Sequence, residues 1–141
     1  MRVFYLLFIL AIGSGCEHLA SSNHSPTKLA SRIADANRIV AMNYYLAATG
    51  KQKGDTEFEI SSSKVKTIVG AVTSGERLSV GTGIDPIWGL RFYKGTNFLG
   101  EVTVQGRIFV YEGEQYTDGS TNVLEKMQVE LNERAKPPVN R

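Results

Sequence analysis

The chain is poor in the side chains that most often carry catalysis. It has one cysteine and two histidines, and a single cysteine excludes an internal disulfide, so packing alone has to stabilise the fold. His18 and His24 both precede the first segment with helix or strand periodicity, and so does Cys16. The remaining chain therefore excludes serine-histidine and cysteine-histidine mechanisms, and it offers no histidine-cysteine zinc site.

The chain also lacks a strong excess of charge. Its formal net charge is +2 at pH 7, which is too small to attract nucleic acid or an anionic surface. Its 14 glycines fall where turns are expected, and none belongs to a glycine-lysine phosphate loop. We expect no nucleic-acid partner, no bound cofactor and no metal.

The N-terminus has a pattern of its own. A basic start, Met1-Arg2, precedes an apolar run from Val3 to Ile12. This run is shorter than the ~20 residues that a spanning helix needs, so it is typical of an export signal that is cleaved after small residues. The run leads into Gly13-Ser14-Gly15-Cys16. With these four residues, the segment resembles the signal peptide and cleavage site of bacterial membrane lipoproteins.

The resemblance implies a lipid anchor. In that family a peptidase cuts before a cysteine whose thiol carries diacylglycerol, and fatty acyl chains such as palmitate hold the protein on the membrane. We therefore expect residues 1–15 to be a signal peptide and Cys16 to be lipidated. The sequence departs from the family pattern at Gly13, where lipoproteins usually carry leucine.

The resemblance also bears on location. Glu17 stands where some bacteria use aspartate to retain lipoproteins in the inner membrane, which favours the outer membrane, facing the periplasm. An alternative stays open, because Gly13 and Gly15 also satisfy the small-x-small rule of the general signal peptidase. That cleavage would give a secreted or periplasmic soluble protein beginning at Cys16.

Composition divides the rest of the chain into three parts. Residues 16–27 are rich in serine and asparagine without apolar periodicity, which predicts a flexible spacer. Residues 28–134 are enough for one globular domain with its own core. Residues 135–141 contain two prolines that cannot continue a helix, and they are predicted to form a disordered tail.

The first half of the domain predicts a hairpin followed by a helix. A short helical lead-in over Lys28–Ala36 precedes a strand over Arg38–Tyr45, which is dense in β-branched and aromatic residues. A single helix over Ala30–Ala48 is the rival interpretation. Thr56–Ile60 alternates with period two and predicts the second strand. The helix after it is indicated by apolar residues at i, i+3, i+4 and i+7: Val65, Ile68, Val69 and Val72.

The second half predicts a meander and a final helix. The pattern of Glu76–Pro86 predicts a long loop with a short strand at Leu78–Val80, and three strands separated by hairpin-sized turns follow it. These are Leu90–Lys94, Phe98–Val104 and Arg107–Tyr111. The last helix carries Val123, Leu124, Met127 and Leu131 and ends near Arg134, with Asp118–Asn122 as caps. The order ββαβββα describes an α+β domain, an antiparallel sheet of about five strands with two helices on one face.

One pair of strands predicts a second apolar surface. If Gln105-Gly106 is a two-residue turn, Val102 lies beside Phe109, and the opposite face carries Leu99, Ile108 and Val110. That face has to be covered by the first hairpin, a loop, a second copy or a partner protein. It is the candidate interaction face, and homo-oligomerisation stays open.

Two functions follow as hypotheses. The first is a non-catalytic, lipid-anchored module that binds another component of the cell envelope, with an envelope protein as the expected partner. A protein inhibitor acting through the loop Glu76–Asp85 is a special case. The second is a carboxylate-dependent hydrolase of cell-wall or extracellular polysaccharide, with Glu57, Glu59 or Glu101 as acid and base.

Overall fold

The computed structural model describes residues 26–51 and 53–136. The helices are α1 (Thr27–Ile33), α2 (Tyr44–Ala48), α3 (Lys53–Thr56), α4 (Ser62–Thr73) and α5 (Val123–Arg134). The strands are β1 (Arg38–Asn43), β2 (Glu57–Glu59), β3 (Glu76–Arg77), β4 (Trp88–Lys94), β5 (Asn97–Gln105), β6 (Ile108–Tyr111) and β7 (Glu114–Thr117). The lipidation predicted at Cys16, the signal peptide and most of the spacer and tail lie outside the described residues.

The strands form one sheet in the order β2-β1-β4-β5-β6-β7-β3, and every neighbouring pair is antiparallel. This confirms the α+β class with an antiparallel sheet. The predicted order ββαβββα is wrong, because the described residues hold seven strands and five helices. The additional strands, β3 and β7, have two and four residues. Strand β3 is too short to show a period of two, and β7 contains a single apolar residue, Tyr116.

Three helices cover one side of the sheet, which we call the core face, and the opposite side is the outer face. The helices are α1, α4 and α5, so the predicted lead-in helix joins the two that were expected there. The strand side chains buried beneath them alternate along each strand: Ile39, Ala41, Trp88, Leu90, Phe92, Val102, Val104, Phe109, Tyr111 and Tyr116. Burial of this continuous apolar layer is the main source of stability.

The strand over β1 is confirmed, and the rival helix over residues 30–48 is wrong. The strand is two residues shorter than predicted, because Asn43 starts a helix. Its side-chain Oδ1 accepts a hydrogen bond of 2.9 Å from the backbone N–H of Leu46 and so caps α2. The chain turns away from the sheet at this point, and the side chain of Tyr44 lies over the outer face.

The β5–β6 hairpin has a different register from the predicted one. Gln105 pairs with Ile108 and Val104 with Phe109, so the two-residue turn is Gly106-Arg107. Gly106 has a φ of +60°, a value that a residue without a Cβ adopts without strain. The pairing is displaced by two residues, and an even displacement leaves the side chains of the paired residues on their predicted faces.

Helix α5 extends from Val123 to Arg134, as its apolar spacing predicted, and its cap comes from Asp118. This buried carboxylate accepts hydrogen bonds from the backbone N–H groups of Leu124 and Ser120 at 2.8 and 2.7 Å. The carboxylate occupies the N-terminus of the helix, where the dipole favours negative charge. Glu130 of α5 forms an ion pair with Lys64 of α4.

The connection between β3 and β4 crosses the outer face. Strand β3 lies at the far edge beside β7, and β4 lies four strand spacings away, roughly 19 Å. Residues 78–87, which we call the strap, bridge this distance. The predicted strand at 78–80 is wrong, since that segment is part of the strap and the strand precedes it at Glu76–Arg77.

Candidate functional site

The strap divides the outer face into a covered half and an open half. Ile108 and Val110 of β6 lie in the covered half, and both are half-buried. Their strand neighbours are Gln105 and Gln115, whose side chains bind the backbone of the strap. A loop is therefore what crosses this apolar strip, one of the four covers that the sequence left open.

Leu99 lies apart from the other two residues of the predicted interaction face. The pairing of β4 with β5 has a bulge here, because Phe92 pairs with Gly100 and Tyr93 with Phe98. Leu99 is the additional residue, and it packs against the hydrophobic core. A bulge changes the direction of the side chains around it. The structure therefore does not bring Leu99, Ile108 and Val110 together as one surface.

The open half lies on β2, β1, β4 and β5, and we call it the ladder face because its side chains form two rows across the strands. The first row contains Glu59, Arg38, Tyr93 and Phe98. Arg38 Nε donates to Glu59 Oε1 at 3.0 Å, and its guanidinium lies 5.2 Å from the centre of the Tyr93 ring. The ring of Phe98 meets Tyr93 edge to face at 5.7 Å and is 53% exposed.

The second row links three strands and a helix through one arginine. Arg91 Nε donates to Glu101 Oε2 at 3.0 Å, and its Nη1 lies 3.5 Å from Glu57 Oε1. The hydroxyl of Tyr44 donates to the other oxygen of Glu101. Long planar guanidinium groups suit this role, since they present several donors in a fixed geometry. The row thus holds four polar side chains in one arrangement before any partner binds.

Gly89 makes this arrangement possible. A Cβ at this position of β4 would collide with the hydroxyl end of Tyr44 and lie 3.0 Å from Glu101 Oε1. The absence of a side chain leaves space for the Tyr44 ring to lie on the sheet. Glycine inside a strand often marks such a close approach, and this was the available sequence signal for the site.

The network shifts two ionisation equilibria. Burial raises the pKa of the Tyr44 phenol above its ordinary value, and the hydrogen bond to Glu101 raises it further. The phenol therefore remains protonated and acts as a donor at neutral pH. The hydrogen bond to Glu101 is also the main cause that raises the pKa of Arg91. Both shifts follow from burial and from the hydrogen bonds to Glu101.

All three candidate carboxylates lie on the ladder face. Glu57 and Glu101 share the guanidinium of Arg91, and Glu59 pairs with Arg38. Hydrolases with a carboxylate pair hold the two groups on either side of a bound sugar. Here the arginines lie between or beside the carboxylates. Each of the three candidate carboxylates is therefore paired with a guanidinium group.

Two cavities adjoin this site. One of about 390 Å³ lies on the ladder face, lined by Arg38, Val40, Gly54, Glu57 and Glu59. The other, of about 490 Å³, lies at the C-terminal end of α5 and includes Arg134 and Phe58 in its lining. The Arg134 guanidinium lies 5.3 Å from the centre of the Phe58 ring and donates to the backbone oxygen of Glu59. A basic residue there complements the negative end of the helix dipole, which is a structural role.

Sequence reasoning missed three residues of the site: Tyr44, Arg38 and Arg91. Each contacts a residue far away in the chain, and Tyr44 and Glu101 are 57 residues apart. Within residues 26–51 and 53–136, no group of three or more acidic, histidine or cysteine side chains is placed to bind a metal. No helix in the same residues is long and apolar enough to cross a bilayer.

Comparisons of the chain with protein-family models, with curated proteins and with solved structures give no match.

Proposed function

We propose that the protein is a non-catalytic, lipid-anchored binding module of the bacterial cell envelope, and that the ladder face is its contact surface for an envelope protein. The observation that supports this most is the ordered set of ion pairs and aromatic rings on the open half of the sheet. Three helices cover the core face and the strap crosses the rest of the outer face. Among residues 26–51 and 53–136, the ladder face is the part of the sheet that neither these helices nor the strap covers.

The composition of the ladder face suits protein recognition. Tyrosine and arginine are enriched where protein interfaces gain most of their binding energy. Arg38 stacks on Tyr93, so both are held in place before binding, and holding side chains in advance lowers the entropy cost of association. Phe98 adds an exposed ring beside them. The partner that fits is a protein with a small apolar centre and charged groups around it.

A lipid on Cys16 would add to this function by confinement. Proteins that share a membrane surface have a raised effective concentration, so a small interface with weak intrinsic affinity is sufficient. Stable interfaces bury about 800 Å² on each partner, and confinement to a membrane lowers the area that the ladder face would have to supply.

The contact surface is tested by photo-crosslinking in intact cells. A photoreactive amino acid at Phe98 is compared with one at Val129, which is 57% exposed on the outer side of α5. We expect a discrete adduct with a membrane-associated protein from position 98 and none from position 129. Equal adducts from both positions, or none from position 98, would contradict the ladder face as the contact.

A charge exchange tests whether the pattern matters. The double variant Arg38→Glu with Glu59→Arg keeps the internal ion pair and exchanges the two charges. We expect the position-98 adduct to fall at least tenfold while the unfolding transition stays in place, because the partner meets the charges in the wrong positions. An unchanged adduct would show that the first row does not contribute to recognition.

The anchor has a test of its own. Intact-mass analysis of the native product is expected to show a chain beginning at Cys16 with added acyl mass, and Cys16→Ser is expected to remove the protein from the membrane fraction. A bare thiol, or an unchanged processed and membrane-bound Cys16→Ser product, would overturn the anchor.

The carboxylate-dependent hydrolase stays the alternative, because Glu57, Glu59 and Glu101 share one accessible face. The salt bridges to Arg91 and Arg38 are the observation against it. Release of soluble sugar from cell-wall polysaccharide by the purified protein, abolished by Glu101→Gln or Glu57→Gln, would favour the hydrolase over the binding module.

A further inference from the structure

The strap is attached to the sheet in an unusual way. Its two ends have backbone hydrogen bonds, from Leu78 N–H to the oxygen of Gln115 and from Tyr44 N–H to the oxygen of Ile87. Between these ends, the bonds of the described strap come from two glutamine side chains. Gln115 Oε1 accepts from Thr82 N–H, and Gln115 Nε2 donates to the backbone oxygen of Thr82, both at 2.8 Å. Gln105 Oε1 accepts from Asp85 N–H at 2.8 Å.

No residue of the strap is buried, since Leu78, Ile84 and Pro86 are half-buried and the others are exposed. Residues 79–83 are exposed, and the side chain of Val80 is 76% exposed. Two glycines, Gly81 and Gly83, give the segment additional conformational freedom. Segments with few apolar contacts and exposed hydrogen bonds open at much lower free energy than the rest of a fold. The residues beneath, Ile108 and Val110, belong to a strand that is paired on both sides.

We propose that the strap is a latch that opens as one unit while the sheet remains folded, uncovering Ile108 and Val110 beside the ladder face. The side chains of Gln115 and Gln105 are its two attachment points. Each accepts a hydrogen bond from a backbone N–H of the strap and lies beside one of the two apolar residues. Opening therefore converts a covered apolar strip into an accessible one and extends the open half of the outer face.

Native-state hydrogen exchange tests the latch. In the wild-type chain, the amides of Thr82 and Asp85 are expected to exchange at one common opening rate, much faster than the core amides of β5. Their opening is also expected to depend little on denaturant, because little surface is exposed.

A sharper test measures how the loss of one attachment point changes amide exchange at the other. Gln115→Ala removes the bonds to Thr82 and leaves the bond to Asp85 intact. If the strap opens as a unit, exchange of the Asp85 amide rises by roughly three- to tenfold, the equivalent of one or two hydrogen bonds. Gln105→Ala is expected to have the reciprocal effect on Thr82.

Asn37→Ala is the matched control. Asn37 Oδ1 accepts a 2.8 Å bond from Gly95 N–H at a turn outside the strap, and its loss is expected to leave both strap amides unchanged. An unchanged Asp85 amide in Gln115→Ala would overturn the latch, since the two attachments would then open independently. Exchange of both amides at the rate of the β5 core would overturn it as well. The latch does not rest on the proposed function, and a failed crosslink at position 98 leaves this coupling untouched.

Discussion

The two faces of β4 use alternate residues of one strand for opposite purposes. Trp88, Leu90 and Phe92 point to the core face and are fully buried. The alternate positions lie on the outer face. Gly89 leaves space for the Tyr44 ring, Arg91 pairs with two carboxylates, and the Tyr93 ring contacts the guanidinium of Arg38. The apolar set stabilises the fold through burial, and the polar set arranges an accessible surface. Substitutions on the two faces should therefore separate stability from binding.

The largest effect is expected on the core face. Trp88→Ala removes a fully buried ring that meets Phe58 edge to face and donates to Asn132 Oδ1. We expect a loss of about 3–5 kcal/mol in the free energy of unfolding, measured by urea denaturation. Phe98→Ala on the outer face is the control and should cost about 1 kcal/mol. Equal losses would contradict the division between the faces.

The next effect concerns the cap that holds α5 on the core face. Asp118→Ala removes both carboxylate oxygens that accept from the backbone N–H groups of Ser120 and Leu124, with an expected loss of about 1–2 kcal/mol. Asp118→Asn keeps one acceptor oxygen and should lose less. Thermal unfolding of the two variants measures the difference, and identical melting temperatures would show that the cap contributes little.

The outer face should also respond to alkaline pH. Burial and Glu101 raise the pKa of Tyr44, so the folded chain holds this proton more tightly than the unfolded chain, whose tyrosines ionise near pH ~10. The unfolded state loses protons first as pH rises, and stability is therefore lost above about pH 10. Tyr44→Phe should cost about 1 kcal/mol at pH 7.

The dependence of the unfolding free energy on pH, measured above pH ~10, shows whether Tyr44 causes this loss of stability. Tyr44→Phe removes one contribution, so its stability should decline less steeply with pH than that of the wild type. Burial also raises the pKa of Tyr116, which retains part of the slope. Urea unfolding at several pH values measures both slopes, and parallel curves would show that Tyr44 is not held in this way.

The smallest effect is expected from replacing a tyrosine on the core face, Tyr111, by phenylalanine. The hydroxyl of Tyr111 is buried and has no hydrogen-bond partner among the described residues. Tyr111→Phe removes an unsatisfied group, so the free energy of unfolding should change by less than ~0.5 kcal/mol or rise. A loss as large as that of Tyr44→Phe would reveal a partner for this hydroxyl.

Several elements could be predicted because their pattern is local. The i, i+3, i+4, i+7 spacing of Val65, Ile68, Val69 and Val72 identified α4, and a similar stripe identified α5 with its end at Arg134. The alternation in β5 and β6 assigned Val102, Val104 and Phe109 to the core face, although the register was displaced by two. The face that a side chain occupies changes only with an odd displacement of the register, so this assignment remained correct.

The strap and the candidate site could not be predicted in the same way. Nothing in residues 78–87 indicates that they cross the sheet, since this depends on β3 pairing with β7 at the far edge. Likewise Arg91 lies ten residues before Glu101 but 34 residues after Glu57. The bulge that moved Leu99 from the predicted interaction face is also a property of strand pairing.

The sequence by itself determined helices α4 and α5, the alternation along the longer strands, and the shared face of Val102, Val104 and Phe109, because helix and strand periods follow from the backbone. Only the tertiary structure decided the order of the strands, the cover over Ile108 and Val110, and the partners of Tyr44 and Arg91. These depend on contacts between distant segments, and the free energy of such contacts belongs to the assembled sheet rather than to any local stretch of chain.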